Sequence, residues 1–154
     1  MDRSHSNSRI IYLGSDHAGF QAKSHVIEYL NTMGYSLIDK GCFSEESVDY
    51  PDYGVAVGKA VAENPGTQGI IICGTGIGIS IAANKVKSVR AALCTTPFHA
   101  EMARKHNNAN ILAMGARTTS IENMEKIIDA WFATEFEAGR HQKRVDKIHS
   151  LTGK

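Results

Sequence analysis

Cysteine is scarce in this chain: three in 154 residues, Cys42, Cys73 and Cys94, an odd count with no CxxC pair. That excludes a disulfide framework, offers no structural zinc pattern and points to a reducing compartment. Neither sign of charge is in excess. Seventeen Lys+Arg against sixteen Asp+Glu leave +1, which argues against a general nucleic-acid binder or a membrane-surface protein. Long hydrophobic runs are missing too. The stretch Thr67–Asn84 carries no charge, but four glycines and several polar groups break it up, so it is no membrane span. Met1–Arg9 is polar and the first apolar run is only Ile10–Leu13, without the pattern of a signal peptide. There is no internal repeat and no low-complexity tract. The expectation is a cytoplasmic protein.

What is present is the composition of one soluble domain, 42% hydrophobic and 21% charged. A chain of this length buries roughly 68–70% of its unfolded surface and needs no staple. Residues 1–8 read as a disordered lead and 9–154 as the domain. Short β-type runs alternate with helical patterns. Ile10–Leu13, Ser36–Asp39, Gly69–Cys73, Arg90–Cys94 and Ile111–Met114 read as strands, the third buried on both faces because it is continuously apolar. Phe20, Ile27, Leu30 and Met33 share a helix face that ends at Gly34. Pro51 suits the first turn of a helix to about Glu63, which Asn64-Pro65-Gly66 stops. Further helices run from the glycine-rich loop to about Lys85, from Thr96-Pro97 to His106, from an N-cap at Ser120, and over His141–Leu151. Five strands alternating with helices predict a doubly wound, Rossmann-like three-layer α/β/α domain with a parallel sheet, whose ligands bind beyond the strands' carboxyl ends.

Reactive side chains are therefore sought just past the strands. Strand one runs into Ser15-Asp16-His17-Ala18-Gly19, strand three into Cys73-Gly74-Thr75-Gly76-Ile77-Gly78, and strand five into Gly115-Ala116-Arg117. His106-Asn107-Asn108, where the fourth helix runs out, is grouped with them. Gly74, Gly76 and Gly78 let backbone N–H groups turn inward beside a helix start, which suits a phosphate, a carboxylate or an enolate oxygen. The same loop also reads as a plain tight turn. It is no dinucleotide fingerprint, because Ile79 stands where the last glycine belongs, and no P-loop lysine follows. Cys73 reads either as a small buried residue or as a thiol activated by the helix start. Cys94, at a strand end, is a candidate pocket residue or a partner for Cys73 in a redox pair. Asp16 reads as a cap, and His17 and His106 as helix-end residues, unless they serve a site. Arg140 and Arg144 lie four apart on one helical side, either solvated or clamping one phosphate.

Together these segments resemble the type B ribose-5-phosphate isomerases and the galactose-6-phosphate isomerase subunits. Ser15–Gly19, Asp49-Tyr50-Pro51, Ile72–Gly78, Ile81–Lys85, His106–Asn110 and Gly139–Gln142 come in family order and span about Ile10 to Leu151. The resemblance implies interconversion of ribose 5-phosphate and ribulose 5-phosphate without cofactor or metal. It implies Cys73 as the base, His106 as the acid/base of ring opening, and Thr75 with the Gly74–Gly78 loop, Ile77 included, as the anion hole. Asp16, His17, Tyr50 and Asn107 would line the sugar, and Arg117, Arg140 and Arg144 would bind the phosphate. It also implies a homodimer, or two paired dimers, with the site between subunits and the His106 segment and Arg117 crossing over. A glutamate-base branch is excluded by Ile79 at that position. A six-carbon sugar phosphate stays open as substrate, as does a non-enzymatic sugar-phosphate sensor.

Overall fold

The computed structural model describes residues 9–154, so the expected lead at 1–8 lies outside the described residues. The elements are β1 (Ile10–Ser15), a 3-10 turn (His17–Gly19), α1 (Phe20–Asn31), β2 (Ser36–Asp39), α2 (Tyr50–Glu63) and β3 (Gln68–Cys73). They continue with α3 (Ile77–Asn84), β4 (Ala91–Leu93), α4 (Pro97–Asn107), β5 (Ile111–Gly115), α5 (Ile121–Phe132) and α6 (Arg140–Thr152). The five strands are all parallel, in the order β2-β1-β3-β5-β4.

Strand parity builds the layers, since successive side chains leave a strand on opposite faces. Ile11, Leu13, Ile70, Ile72, Leu112 and Met114 meet α1, α4 and α5, with Trp131 the largest side chain in that core. Tyr12, Ile71, Cys73, Ile111 and Ala113 meet α2 and α3 on the other side. The continuous apolar run of β3 is buried on both faces, as its sequence requires. Met33 departs from its expected place: α1 ends at Asn31, Gly34 turns at φ +79°, and Met33 is left exposed. The expected cap at Ser120 forms, its Oγ accepting from the Asn123 amide at 3.1 Å.

From β1 the chain leaves through α1 to β2 on one face, and from β3 it leaves through α3 across β5 to β4 on the other. The connections diverge at β1 and β3, so a crevice opens there at the carboxyl end of the sheet. Its floor is tight. A Cβ added at Gly19 would lie 2.5 Å from the Ile72 carbonyl oxygen, the same oxygen that accepts from the Asp16 amide at 3.3 Å. Gly19→Ala should therefore lower unfolding stability by about 1–3 kcal/mol in urea titration through forced overpacking. An unchanged midpoint would mean that β3 yields at no cost.

Candidate active site

The crevice at the ends of β1 and β3 is a cleft of about 520 Å³ that includes Asp16, His17, Tyr50, Cys73, Gly74, Thr75, Ile77, Gly78 and Arg117. Each is set by its element. Asp16 follows β1 and caps the 3-10 turn, its Oδ1 accepting from the Gly19 amide at 3.1 Å. His17 is fixed by Val48: the Val48 amide lies 3.1 Å from Nδ1 and its carbonyl oxygen 3.2 Å away. With the amide donating, the ring proton sits on Nε2. Tyr50 opens α2 and lays its ring against Gly78, where a Cβ would come within 2.5 Å of the ring.

Cys73 ends β3, buried at 4% exposure but lining the cleft. The Gly76 amide donates to its Sγ at 3.1 Å. That contact needs Gly76 in the left-handed region, φ +78°, packed where a Cβ would meet Leu93 and the Met114 backbone. Thr75 is exposed at the loop tip, and its Oγ1 accepts from the Ile77 amide at 3.2 Å. The Arg117 amide donates to the Gly74 carbonyl at 2.8 Å, and its guanidinium lies over Gly74. Hence Arg117 belongs to the cleft of its own chain. The expected crossing of Arg117 into a neighbour's site is corrected: β5 pairs directly with β3, so its end lies beside the loop.

The grouping of His106 and Asn107 with the strand ends is also corrected. A crossover helix between parallel strands returns from the carboxyl to the amino end of the sheet. The end of α4 therefore lies at the sheet edge opposite Cys73. There His106 stacks on His141, ring centroids 4.2 Å apart and planes 15° from parallel. Arg140, exposed, opens α6, with exposed Arg144 one turn further on. The turn after His106 is clamped by two residues that composition and motif did not single out. Arg90 donates from Nε and Nη2 to the Asn108 carbonyl at 3.0 and 2.8 Å, and Arg104 donates to the Ala109 carbonyl at 2.6 Å. Asn108 itself takes φ +45°. Nine of the ten remaining expected residues thus line the cleft, with Gly76 buried behind its loop, and His106, Asn107, Arg140 and Arg144 lie apart from it in the same chain.

Cys94 is not a pocket residue. It is buried in the core beside α4, on the opposite face of the sheet from Cys73, and burial pushes its thiol up to about 12. Since β5 lies between β3 and β4, the two cysteines are two strand spacings apart, roughly 10 Å, beyond the reach of a disulfide. Cys42 is buried, with its Sγ 3.3 Å from the Ser44 carbonyl. Among the described residues no group of His, Cys, Asp and Glu is placed to hold a metal, and no helix is long and apolar enough to cross a membrane.

A family profile described as Ribose/Galactose Isomerase matches residues 11–148. The chain belongs to this family. The ribose-5-phosphate isomerase B of Escherichia coli is 45% identical over 141 residues, covering 92% of this chain and 95% of that protein. The Clostridium thermocellum ribose-5-phosphate isomerase B superposes with a TM-score of 0.92 at 48% identity, covering 94% of this chain and 97% of the other. That of Mycoplasma genitalium, solved with bound ribulose 5-phosphate, gives 0.90 at 39% identity, over 94% and 97%. The expectation of an isomerase with a doubly wound fold is borne out. Within this isomerase the thiols should differ sharply in reactivity. Iodoacetamide at neutral pH is expected to label Cys73 in the folded protein and Cys94 only after denaturation, as read by peptide mass spectrometry. First labelling at Cys94 would contradict the placement of the two thiols.

Proposed function

We propose that this isomerase interconverts D-ribose 5-phosphate and D-ribulose 5-phosphate, with Cys73 as the base. The observation that carries the reading is one thiol on the cleft wall, held by the Gly76 amide and bordered by a glycine loop. An α-proton beside a carbonyl needs a base on one side and donors for the developing oxyanion on the other. In the open-chain sugar the sulfur takes the C2 proton, and the electron pair moves into an enediolate. The proton returns to C1 while the O2 proton moves to O1. C2 is oxidised and C1 reduced within one molecule, so no external redox partner is needed. Loop amides other than those of Gly76 and Ile77, which donate to Cys73 Sγ and Thr75 Oγ1, face the enediolate oxygens together with the Thr75 hydroxyl, and Asp16 and Tyr50 border the sugar. His17 and Arg117 meet the phosphate.

Ribose 5-phosphate is a furanose in solution, so the ring must open first. The C1–O4 bond breaks as a proton leaves the C1 hydroxyl and another reaches O4. That transfer is assigned to His106, with Asn107 on the sugar and Arg140 and Arg144 on the phosphate. These four sit at the far edge of their own sheet, so the reading requires a second copy of the chain that brings them to Cys73. A homodimer with shared sites, working in the cytoplasm, is thereby part of the proposal.

Two measurements test it. Ketopentose formation from ribose 5-phosphate should be abolished in Cys73→Ala while phosphate affinity persists; near-wild-type turnover would remove Cys73 as the base. Equal mixing of Cys73→Ala and His106→Ala chains by co-refolding should restore about a quarter of wild-type activity, because half the dimers are mixed and each holds one intact site. No recovery would mean that each site is built from one chain. Turnover of six-carbon sugar phosphates alone would move the assignment to the longer substrate.

A further inference from the structure

We infer that His141 is a positioning residue for ring opening, holding the His106 imidazole in one plane by parallel stacking. This rests on the assignment of ring opening to His106. His141 is buried at 5% exposure, on the first turn of α6. Among the described residues its Nε2 has no hydrogen-bond partner, and Glu137 Oε1 lies 3.8 Å away, beyond bonding range. An orphaned buried ring nitrogen is costly, so His141 is not held there by its own hydrogen bonds. Its ring lies stacked on the face of His106, at 4.2 Å and 15°.

A proton carrier works only if its nitrogen meets the donor and acceptor oxygens at hydrogen-bond distance and angle. A half-buried imidazole at the end of a helix is otherwise free to turn about its side-chain bonds, and a flat neighbour removes that freedom. The charged groups around the pair are Lys105 on α4, Glu137 in the preceding loop, and Arg140 and Arg144 on α6. Burial first, then His106 and Arg140, disfavour a charged His141. The environment of the stacking partner therefore favours its neutral form, beside a ring that must itself gain and lose a proton.

The test separates ring opening from proton transfer at carbon. Ribulose 5-phosphate is acyclic, so deuterium wash-in at its C1 needs the base and the enediolate site but not ring opening. In His141→Ala, turnover of ribose 5-phosphate should fall at least about tenfold, mainly in kcat, while wash-in at C1 falls far less. His141→Phe, which keeps a flat ring and no ionisable nitrogen, should recover most of that loss. If both rates fall together in His141→Ala, the residue is merely structural and the inference fails. If His141→Phe is as impaired as His141→Ala, stacking is not the function. If His141→Ala is unimpaired, His106 needs no such partner. Wash-in that persists in Cys73→Ala would instead overturn the base assignment, whatever the His141 variants do.

Discussion

Everything at the carboxyl end of the sheet depends on how closely the loop after β3 lies against the end of β5. Gly76 and Gly115 make that approach possible: a Cβ on Gly76 would meet the Met114 backbone at 2.8 Å, and one on Gly115 would meet Thr75 at 2.5 Å. Two backbone bonds tie the loop to the end of β5, and a third bond, to the thiol, fixes it internally. Ala116 donates to the Cys73 carbonyl and Arg117 to the Gly74 carbonyl, both at 2.8 Å, and Gly76 donates to the Cys73 sulfur at 3.1 Å. The Cys73 thiol, the loop amides and the Arg117 guanidinium are thus held by one backbone arrangement on paired strands. A site built this way is preorganised rather than assembled by the substrate.

The opposite wall of the cleft is held differently. The loop from Lys40 to Asp49 is tied down by a buried lysine. Lys23, 1% exposed, donates to the Asp39 carboxylate at 2.6 Å and to the Cys42 carbonyl at 2.5 Å. Gly41 and Cys42 then continue backbone pairing with Ser15. Only further along, at Val48, does the loop reach His17. A buried ammonium is tolerable because both partners are oxygens at charge-assisted distance. The cleft therefore has a stiff side at β3 and β5, and a side whose geometry follows from one ion pair.

Much of this was legible in advance, and the gaps have physical causes. The strands and helices follow from period, caps and breakers, because a sheet buried on both faces must read as short apolar runs. The crevice residues follow from the rule that loops beyond β1, β3 and β5 share one end. His106 was misplaced because a helix end was pooled with strand ends, although the return path of a crossover helix already sends it to the other edge. Arg117 follows from the same rule, and only the crossing that the resemblance implied departs from the structure, because strand order, which brings β5 beside β3, is not written in one sequence. Cys94 was offered to the pocket for want of a strand parity, and β4 is too short to supply one. Arg90 and Arg104 carried no signal, and His141 lay in the Gly139–Gln142 segment without being singled out, since stacking and carbonyl clamping use ordinary residue types at ordinary positions.

Charge gives the proposed pairing of two chains an independent argument. A phosphate monoester carries about −1.5 to −2 charges at neutral pH. The cleft of a single chain offers the Arg117 guanidinium and the His17 imidazole, and it already holds the Asp16 side chain. That balance is poor for a dianion. The missing positive charge exists in the same chain, on Arg140 and Arg144, but at the far edge of the sheet, next to His106 and His141. No hinge within a five-stranded sheet with continuous register carries it across. The homodimer proposed above answers this: a twofold arrangement would set the basic edge of each copy against the thiol cleft of the other. A chain of net charge +1 can then bind an anion strongly without carrying a surplus elsewhere on its surface.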